Sequence, residues 1–322
     1  MGRIRKKDTH LPRRMYMRRG SYYFVDKNGR WVPLGRDYAM AMAEYGRISG
    51  PNSPCITMRD VIDRYRILVL PHKAASSQYR ENTQLTRLAS VFGALRPDEI
   101  STQHVYQYMD ARSVFPTAAR HEVSLLHHVF KKAIRWGAGT TNPAHGIEKP
   151  KSKPRTRYIT DDEFEAVREL AIPSMRVAMD FALLTGLRRG DILSLTRDSL
   201  TDEGLFVPTS KTGKGLLFEY SDALMNAIKC SRALKPQVPG FYLVRTRSGG
   251  GYTTSGFSAN WQRLITKAVG KSVKHFTFND IRAKSASDRA SLQEASDRLG
   301  HASTAITKSV YYRKPMKVKP VK

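Results

Sequence analysis

Near its carboxyl end the chain carries Leu299-Gly300-His301, and Tyr311 and Tyr312 follow at short range. Two arginines lie upstream, Arg188 after Thr185-Gly186-Leu187 and Arg282 after Asn279-Asp280-Ile281. Two arginines can neutralise the non-bridging oxygens of one phosphate, and a histidine can hydrogen-bond the same group. A tyrosine can attack the phosphorus and form a covalent intermediate. Together these residues indicate a site for phosphodiester transfer.

The order of these residues resembles that of the tyrosine recombinases, in particular the lambda-type phage integrases, over most of the chain. The family's first arginine box is Thr-Gly-x-Arg with an acid three residues on, and its second is usually His-x-x-Arg. A hairpin lysine lies between them, and a Leu-Gly-His box comes last. The corresponding segments here are Thr185-Gly186-Leu187-Arg188-Arg189-Gly190-Asp191, Ser210-Lys211-Thr212-Gly213-Lys214, Asn279-Asp280-Ile281-Arg282 and Leu299-Gly300-His301.

The resemblance implies a role for each box. Arg188 and Arg282 are expected to hold one phosphate, for which arginine suits better than lysine because its planar guanidinium donates to two oxygens at once. Lys211 is implied to protonate the leaving 5′ oxygen, with Lys214 as its rival. His301 is implied to hydrogen-bond the phosphate. The other histidines are scattered without partners, so no metal site is expected.

Asn279 departs from the family pattern, which usually has a histidine at this position. An asparagine amide can donate a hydrogen bond to a phosphate oxygen, but it carries no charge and moves no proton. We therefore expect Asn279 to be auxiliary. Two alternatives are that a neighbour, His275 or Lys284, assists it, or that activity has been lost.

Either Tyr311 or Tyr312 can be the nucleophile, since both lie within reach of His301 along the chain. Relatives with a similar ending carry the nucleophile directly after a β-branched residue. The resemblance therefore favours Tyr311, which follows Val310. A phenol has a pKa of about 10, so attack at neutral pH needs a cationic pocket that favours the phenolate.

Composition points to nucleic acid as the partner. The 322 residues include 55 lysines and arginines against 28 acids, a formal charge of +27, as expected of a protein that tracks a polyanion. The basic residues are dispersed, and no segment approaches the ~18 apolar residues of a membrane span, which argues against a membrane partner. Cys55 and Cys230 lie far apart and favour a reducing compartment, and the resemblance implies that this is the bacterial host cytoplasm with its nucleoid.

Residues 1–49 predict a small three-stranded sheet plus a helix. Short alternating runs with turns at Gly20 and near Gly29 indicate the strands, and a helical stretch follows from Asp37. The pattern is similar to the arm-binding domain of lambda-type integrases, whose strands lie in a DNA groove. Alternatively, the aromatic residues only fill the core of a small domain. The candidate DNA-binding residues of this region are Arg3, Arg5, Lys6, Tyr22 and Tyr23.

A basic, proline-rich stretch separates two larger regions. Its prolines favour an extended chain, and a segment along the phosphates is expected, with Lys151, Lys153 and Arg155 as DNA contacts. Thr160 begins a capping box that starts the last region. The expected parts are an arm-type DNA-binding domain at 1–49, a linker at 50–56, an all-helical core-binding domain at 57–148, a basic linker at 149–158, an α+β catalytic domain at 159–312 and a basic tail at 313–322.

The resemblance implies a multidomain, mainly α-helical enzyme, a site-specific DNA recombinase that works through a 3′-phosphotyrosine link. Because that link conserves the phosphodiester, no cofactor is expected. The resemblance also implies a homotetramer on two DNA duplexes with core-type and arm-type sites, integrating and excising a phage or other mobile element. A host DNA-bending protein and an excision factor are further expected partners. Two alternatives stay open, a type IB-like topoisomerase and a DNA-binding regulator with impaired catalysis.

Overall fold

The structure is a computed structural model with two compact units, Met1–Ser152 and Lys153–Lys322. Among the residues it describes, no helix is long and apolar enough to cross a bilayer. The predicted division at 50–56 falls outside the described residues and stays a prediction. The described residues are 11–26, 29–49, 57–150, 155–209, 213, 215–235, 237–238, 240–271, 273–301 and 303–314.

The first unit begins with an antiparallel sheet in which each strand pairs with the next along the chain. Its strands are β1 (Met15–Arg18), β2 (Ser21–Val25) and β3 (Trp31–Gly35). Gly20 turns the chain between β1 and β2 with a φ of 74°, which a side chain would strain. One face of the sheet packs on helix α1 (Tyr38–Ser49). The predicted small sheet plus helix is therefore confirmed.

The rest of the first unit is helical, as predicted, with a core that includes Ile62, Leu85 and Phe130. One helix begins at Ala75, well before its first buried residue, Leu85. Its first half has no buried residue, so it lacks the apolar periodicity that marks a helix. The helices are α2 (Met58–Leu68), α3 (Ala75–Phe92), α4 (Thr102–Ala111) and α5 (Pro116–Arg135).

One buried carboxylate joins three of these helices. Glu122 on α5 is fully buried and accepts hydrogen bonds from the Tyr108 hydroxyl at 2.7 Å, Arg87 at 2.9 Å and Arg112 at 3.2 Å. Burial raises the pKa of Glu122, but these hydrogen bonds lower it by more, so its pKa lies below the ordinary value. The ionised carboxylate thus stabilises the packing of α3, α4 and α5.

The second unit is α+β, with helices around one core and a two-stranded antiparallel hairpin at its side. Helix α7 packs against α9 and α11, and α10 packs against α6. The elements are α6 (Asp161–Leu170), α7 (Pro173–Thr185), α8 (Arg189–Leu193), β4 (Leu205–Pro208), β5 (Gly215–Phe218), α9 (Asp222–Arg232), α10 (Thr254–Val269), α11 (Phe278–Ser287), α12 (Leu292–Leu299), α13 (Thr304–Ile306) and a π-helical turn, Thr307–Tyr311. The predicted fold class is confirmed.

Candidate active site

Arg188 lies at the start of a helix. It is the N-cap residue of α8, directly after the turn that ends α7. The Thr185 hydroxyl stabilises this turn, donating to the Phe181 carbonyl at 2.6 Å and accepting from the Leu187 amide at 3.2 Å. The Arg188 side chain is half-buried, and its guanidinium has no hydrogen-bond partner among the described residues.

The turn before Arg188 requires glycine at position 186 for two reasons. Gly186 has a φ of 65°, in the left-handed region. A Cβ atom there would lie 2.8 Å from Cδ2 of Leu299 and 3.1 Å from Oγ of Ser285. The first arginine box therefore packs directly against α11 and the end of α12.

Arg282 on α11 connects the boxes that are far apart in the sequence. Its buried guanidinium donates to the carbonyl of Gly186 and, at 3.0 Å, to the carbonyl of Leu299. Burial and the nearby positive charge of Arg188 lower the pKa of Arg282 to about 10. The side chain is still charged at neutral pH. It therefore carries a positive charge in a largely desolvated position.

His301 bonds to Arg282 on one side and to Thr307 on the other. Nε2 of His301 lies 3.0 Å from Nη2 of Arg282, and Nδ1 lies 2.8 Å from Oγ1 of Thr307. Because a guanidinium only donates, Nε2 accepts, and the ring proton then lies on Nδ1 and is donated to Thr307. The sequence does not single out Thr307, since the π-helical turn that buries its side chain leaves no local pattern.

Tyr311 lies against both of these residues, whereas Tyr312 does not. The ring centroids of Tyr311 and His301 are 5.1 Å apart, and Cζ of Arg282 lies 5.1 Å from the Tyr311 ring centroid. The Tyr312 side chain is 36% exposed and makes no ring contact within the described part of the chain. The structure thus brings Arg282 and His301 against the Tyr311 phenol, and Arg188 lies near Arg282.

Known proteins are similar to this chain in sequence. Residues 157–317 match the phage integrase family model. The integrase of Enterobacteria phage 434 is 27% identical over 94% of both chains, and that of Escherichia phage HK022 is 30% identical over 67% of both. The chain belongs to the phage integrase family. It is a tyrosine recombinase, an enzyme of site-specific DNA breakage and rejoining, and neither the topoisomerase nor the regulator alternative is favoured.

Solved structures support the fold of this integrase over its whole length. A lambda integrase dimer bound to a core site has a TM-score of 0.71 at 23% identity, with 99% of both chains covered. A lambda integrase tetramer bound to a Holliday junction has a TM-score of 0.67 at 23% identity, covering 91% of this chain and 97% of that one. At this identity the likeness extends to the fold alone.

The two other residues predicted to be catalytic are Asn279 and Lys211, and the described part of the structure does not show either of them in contact with this site. Asn279 is exposed in the first turn of α11, and its side chain has no hydrogen bond among the described residues. Of its proposed helpers, His275 is exposed, whereas Lys284 is buried and forms ion pairs with Asp161 and Asp288. Lys284 is thus held by acids of its own unit. Lys211 and Lys214 fall outside the described residues, although β4 and β5 form the predicted hairpin beside them.

The candidate DNA-binding residues of the integrase lie in different environments. Tyr22 faces α1, with its ring 5.6 Å from that of Tyr38, so it belongs to the core. Tyr23 lies on the opposite face, 5.9 Å from Trp31, which is 47% exposed. Arg155 donates to Asp280 at 2.9 Å. Arg3, Arg5, Lys6, Lys151 and Lys153 lie outside the described residues.

Proposed function

We propose that this integrase cleaves DNA with Tyr311 as the nucleophile on a phosphate held by Arg188 and Arg282. The phenolic oxygen attacks the phosphorus, a 3′-phosphotyrosine bond forms, and the bond to the 5′ oxygen breaks. In rejoining, the 5′-hydroxyl of a new strand attacks the phosphotyrosine and the phenol leaves with a proton. The contact of Tyr311 with Arg282 and His301 is the observation that carries this proposal.

The charges around Tyr311 suit both the attack by the phenolic oxygen and the charge that develops on the phosphate. The positive charge of Arg282 lies beside the Tyr311 ring, where it can stabilise negative charge that passes from the attacking oxygen to the phosphate. Because the same guanidinium is desolvated, its interaction with developing charge on the phosphate is stronger than it would be in water. In this proposal Nε2 of His301 gives up its bond from Arg282, takes up a proton and donates it to a phosphate oxygen. Lys211 supplies the proton that leaves with the 5′ oxygen, and Asn279 is auxiliary.

The proposed substrate is double-stranded DNA with two classes of attachment site, recombined by four protomers through a Holliday junction. Lambda integrase structures on a core site and on a Holliday junction support this assembly. The exposed sheet face that carries Tyr16, Tyr23 and Trp31 supports a second contact, to arm-type sites. A host DNA-bending protein and an excision factor complete the proposal for phage integration and excision in the host cytoplasm.

Covalent capture on a nicked suicide substrate tests the chemistry. Because of the nick, the short fragment that carries the free 5′-hydroxyl diffuses away after cleavage. Rejoining is then prevented, and the protein stays attached to the DNA. We expect Tyr311→Phe to give no covalent complex while retaining its affinity for DNA, because only one hydroxyl is lost. Tyr312→Phe is the matched variant and should still be captured. Capture of Tyr311→Phe together with loss of capture in Tyr312→Phe would transfer the role to Tyr312.

A further inference from the structure

The residues that follow Tyr311 are held to α11 by a buried ion pair. Nη1 of Arg313 donates to Oδ1 of Asp280 at 2.7 Å, and the two side chains are only 9% and 6% exposed. The backbone N–H of Arg313 donates to Oγ of Ser287 at 2.7 Å. The Ser287 hydroxyl in turn donates to the carbonyl of Tyr311 at 3.0 Å. The segment around the proposed nucleophile is thus anchored at both ends of α11.

The Asp280 side chain is also held by hydrogen bonds from Thr277. Its second oxygen, Oδ2, accepts from the amide and the hydroxyl of Thr277 at 2.8 and 2.7 Å, in the capping box of α11. Burial raises the pKa of Asp280, but the hydrogen bonds from Arg313 and Thr277 lower it by more, so the carboxyl is ionised at neutral pH. The acid therefore presents a charged oxygen in one orientation.

The same helix also carries Arg282. Asp280, Arg282 and Ser287 are three residues of one short helix, whose backbone fixes their separation. One of them binds the phosphate in the proposed mechanism, and the other two hold the chain directly after the Tyr311 side chain, from the Tyr311 carbonyl to Arg313. A rigid element thus sets the distance between the nucleophile and the phosphate site.

We propose that Arg313 is a positioning residue for cleavage. Its ion pair with Asp280 holds the Tyr311 hydroxyl at the phosphate bound by Arg282 of the same chain. This inference rests on the proposed role of Tyr311. Because the Arg313 side chain is buried, it acts through the tyrosine segment and not through a contact of its own with DNA.

The test compares cleavage rate with DNA affinity in the full-length protein. With suicide substrate at saturating protein, Arg313→Gln should cleave about 10- to 100-fold more slowly, because a small displacement of a reacting group has effects of that size. Its dissociation constant for the core site should not change. Arg313→Lys keeps the charge but loses the donor to the Val310 carbonyl, so it should recover part of the rate.

Arg168→Gln is the matched control. Arg168 donates to Asp180 at 2.6 and 3.1 Å in the same unit, but it has no contact with the tyrosine segment among the described residues. Loss of this ion pair should leave the cleavage rate near that of the natural protein. An Arg313→Gln rate equal to that of Arg168→Gln would overturn the inference.

An external nucleophile separates positioning of Tyr311 from general support of the site. In Tyr311→Phe, the hydroperoxide anion can attack the phosphorus in place of the phenolate and displace the 5′ oxygen, which leaves with a proton. Adding Arg313→Gln should not slow this peroxide-dependent cleavage. Equal slowing of both reactions would show that Arg313 supports the phosphate site, and would overturn the positioning role. Covalent capture by Tyr311→Phe itself would refute the proposed nucleophile instead.

Discussion

Replacing Gly186 by alanine should destabilise the catalytic unit through two separate effects. Its φ of 65° is a left-handed conformation, which costs a residue with a Cβ about 1–2 kcal/mol. The new methyl would lie 2.8 Å from Cδ2 of Leu299 and 3.1 Å from Oγ of Ser285, both in a packed interior. Overpacking of this kind costs roughly 1–3 kcal/mol. The sum predicts a loss of about 2–5 kcal/mol of unfolding free energy.

The matched control is Gly213→Ala in the same unit. Gly213 has a φ of 69°, but no atom of the described residues lies within 4 Å of its added Cβ, so only the conformational cost is expected. Urea unfolding of the unit can be followed by the fluorescence of Trp261, in a background in which Trp31 and Trp136 are phenylalanine. Equal losses for Gly186→Ala and Gly213→Ala would refute the steric part of the reasoning.

The Gly186→Ala variant should lose catalytic activity as well as stability. The carbonyls of Gly186 and Leu299 both accept from Arg282, so a methyl that pushes these segments apart displaces the guanidinium. We expect slower covalent capture even at temperatures at which the variant is fully folded. Capture at the natural rate would show that the position of Arg282 does not depend on this contact.

Three further variants test other parts of the structure. Glu122→Gln should cost about 1–3 kcal/mol at pH 7, because Tyr108 and the partly exposed Arg87 and Arg112 lose their charged acceptor. Since the folded pKa of Glu122 lies below 4.5, its contribution is present above that pH and is lost as the pH falls through the folded pKa, so urea curves of the two proteins should converge in acid. Thr307→Val removes the acceptor for Nδ1 of His301 and should slow covalent capture about tenfold, with unchanged DNA affinity in a filter-binding assay. Trp31→Ala should weaken arm-site binding in a mobility-shift assay and leave core-site cleavage intact; equal arm-site affinity would contradict the proposed role of that sheet face.

Local patterns were sufficient for much of the fold. The capping box predicted at Thr160 starts a helix in the structure. The first half of α3 was not predictable, because no buried residue marks it. Local patterns therefore predict an element only where burial repeats along it.

The candidate site was predictable as a set of residues but not as a set of contacts. Its boxes are recognisable by residue type, whereas the bonds from Arg282 to Gly186 and from Arg313 to Asp280 join residues distant in sequence. Arg313 itself lies in a segment that composition describes only as a basic tail. Burial, which turns that charge into an anchor, is a property of the folded chain.

Tyr22 and Tyr23 lie on opposite faces of β2. The packing and the recognition surface of this strand therefore depend on its length as well as on its residue types. A single-residue insertion or deletion in β2 would shift the side-chain alternation by one, because its period is two. Tyr23 would then enter the core beside α1 and Tyr22 would take the outer face. Point substitutions on the outer face should therefore change DNA recognition without changing stability. Length changes in β2 should alter stability and recognition at the same time, which makes this strand a poor place to lengthen or shorten when the integrase is engineered.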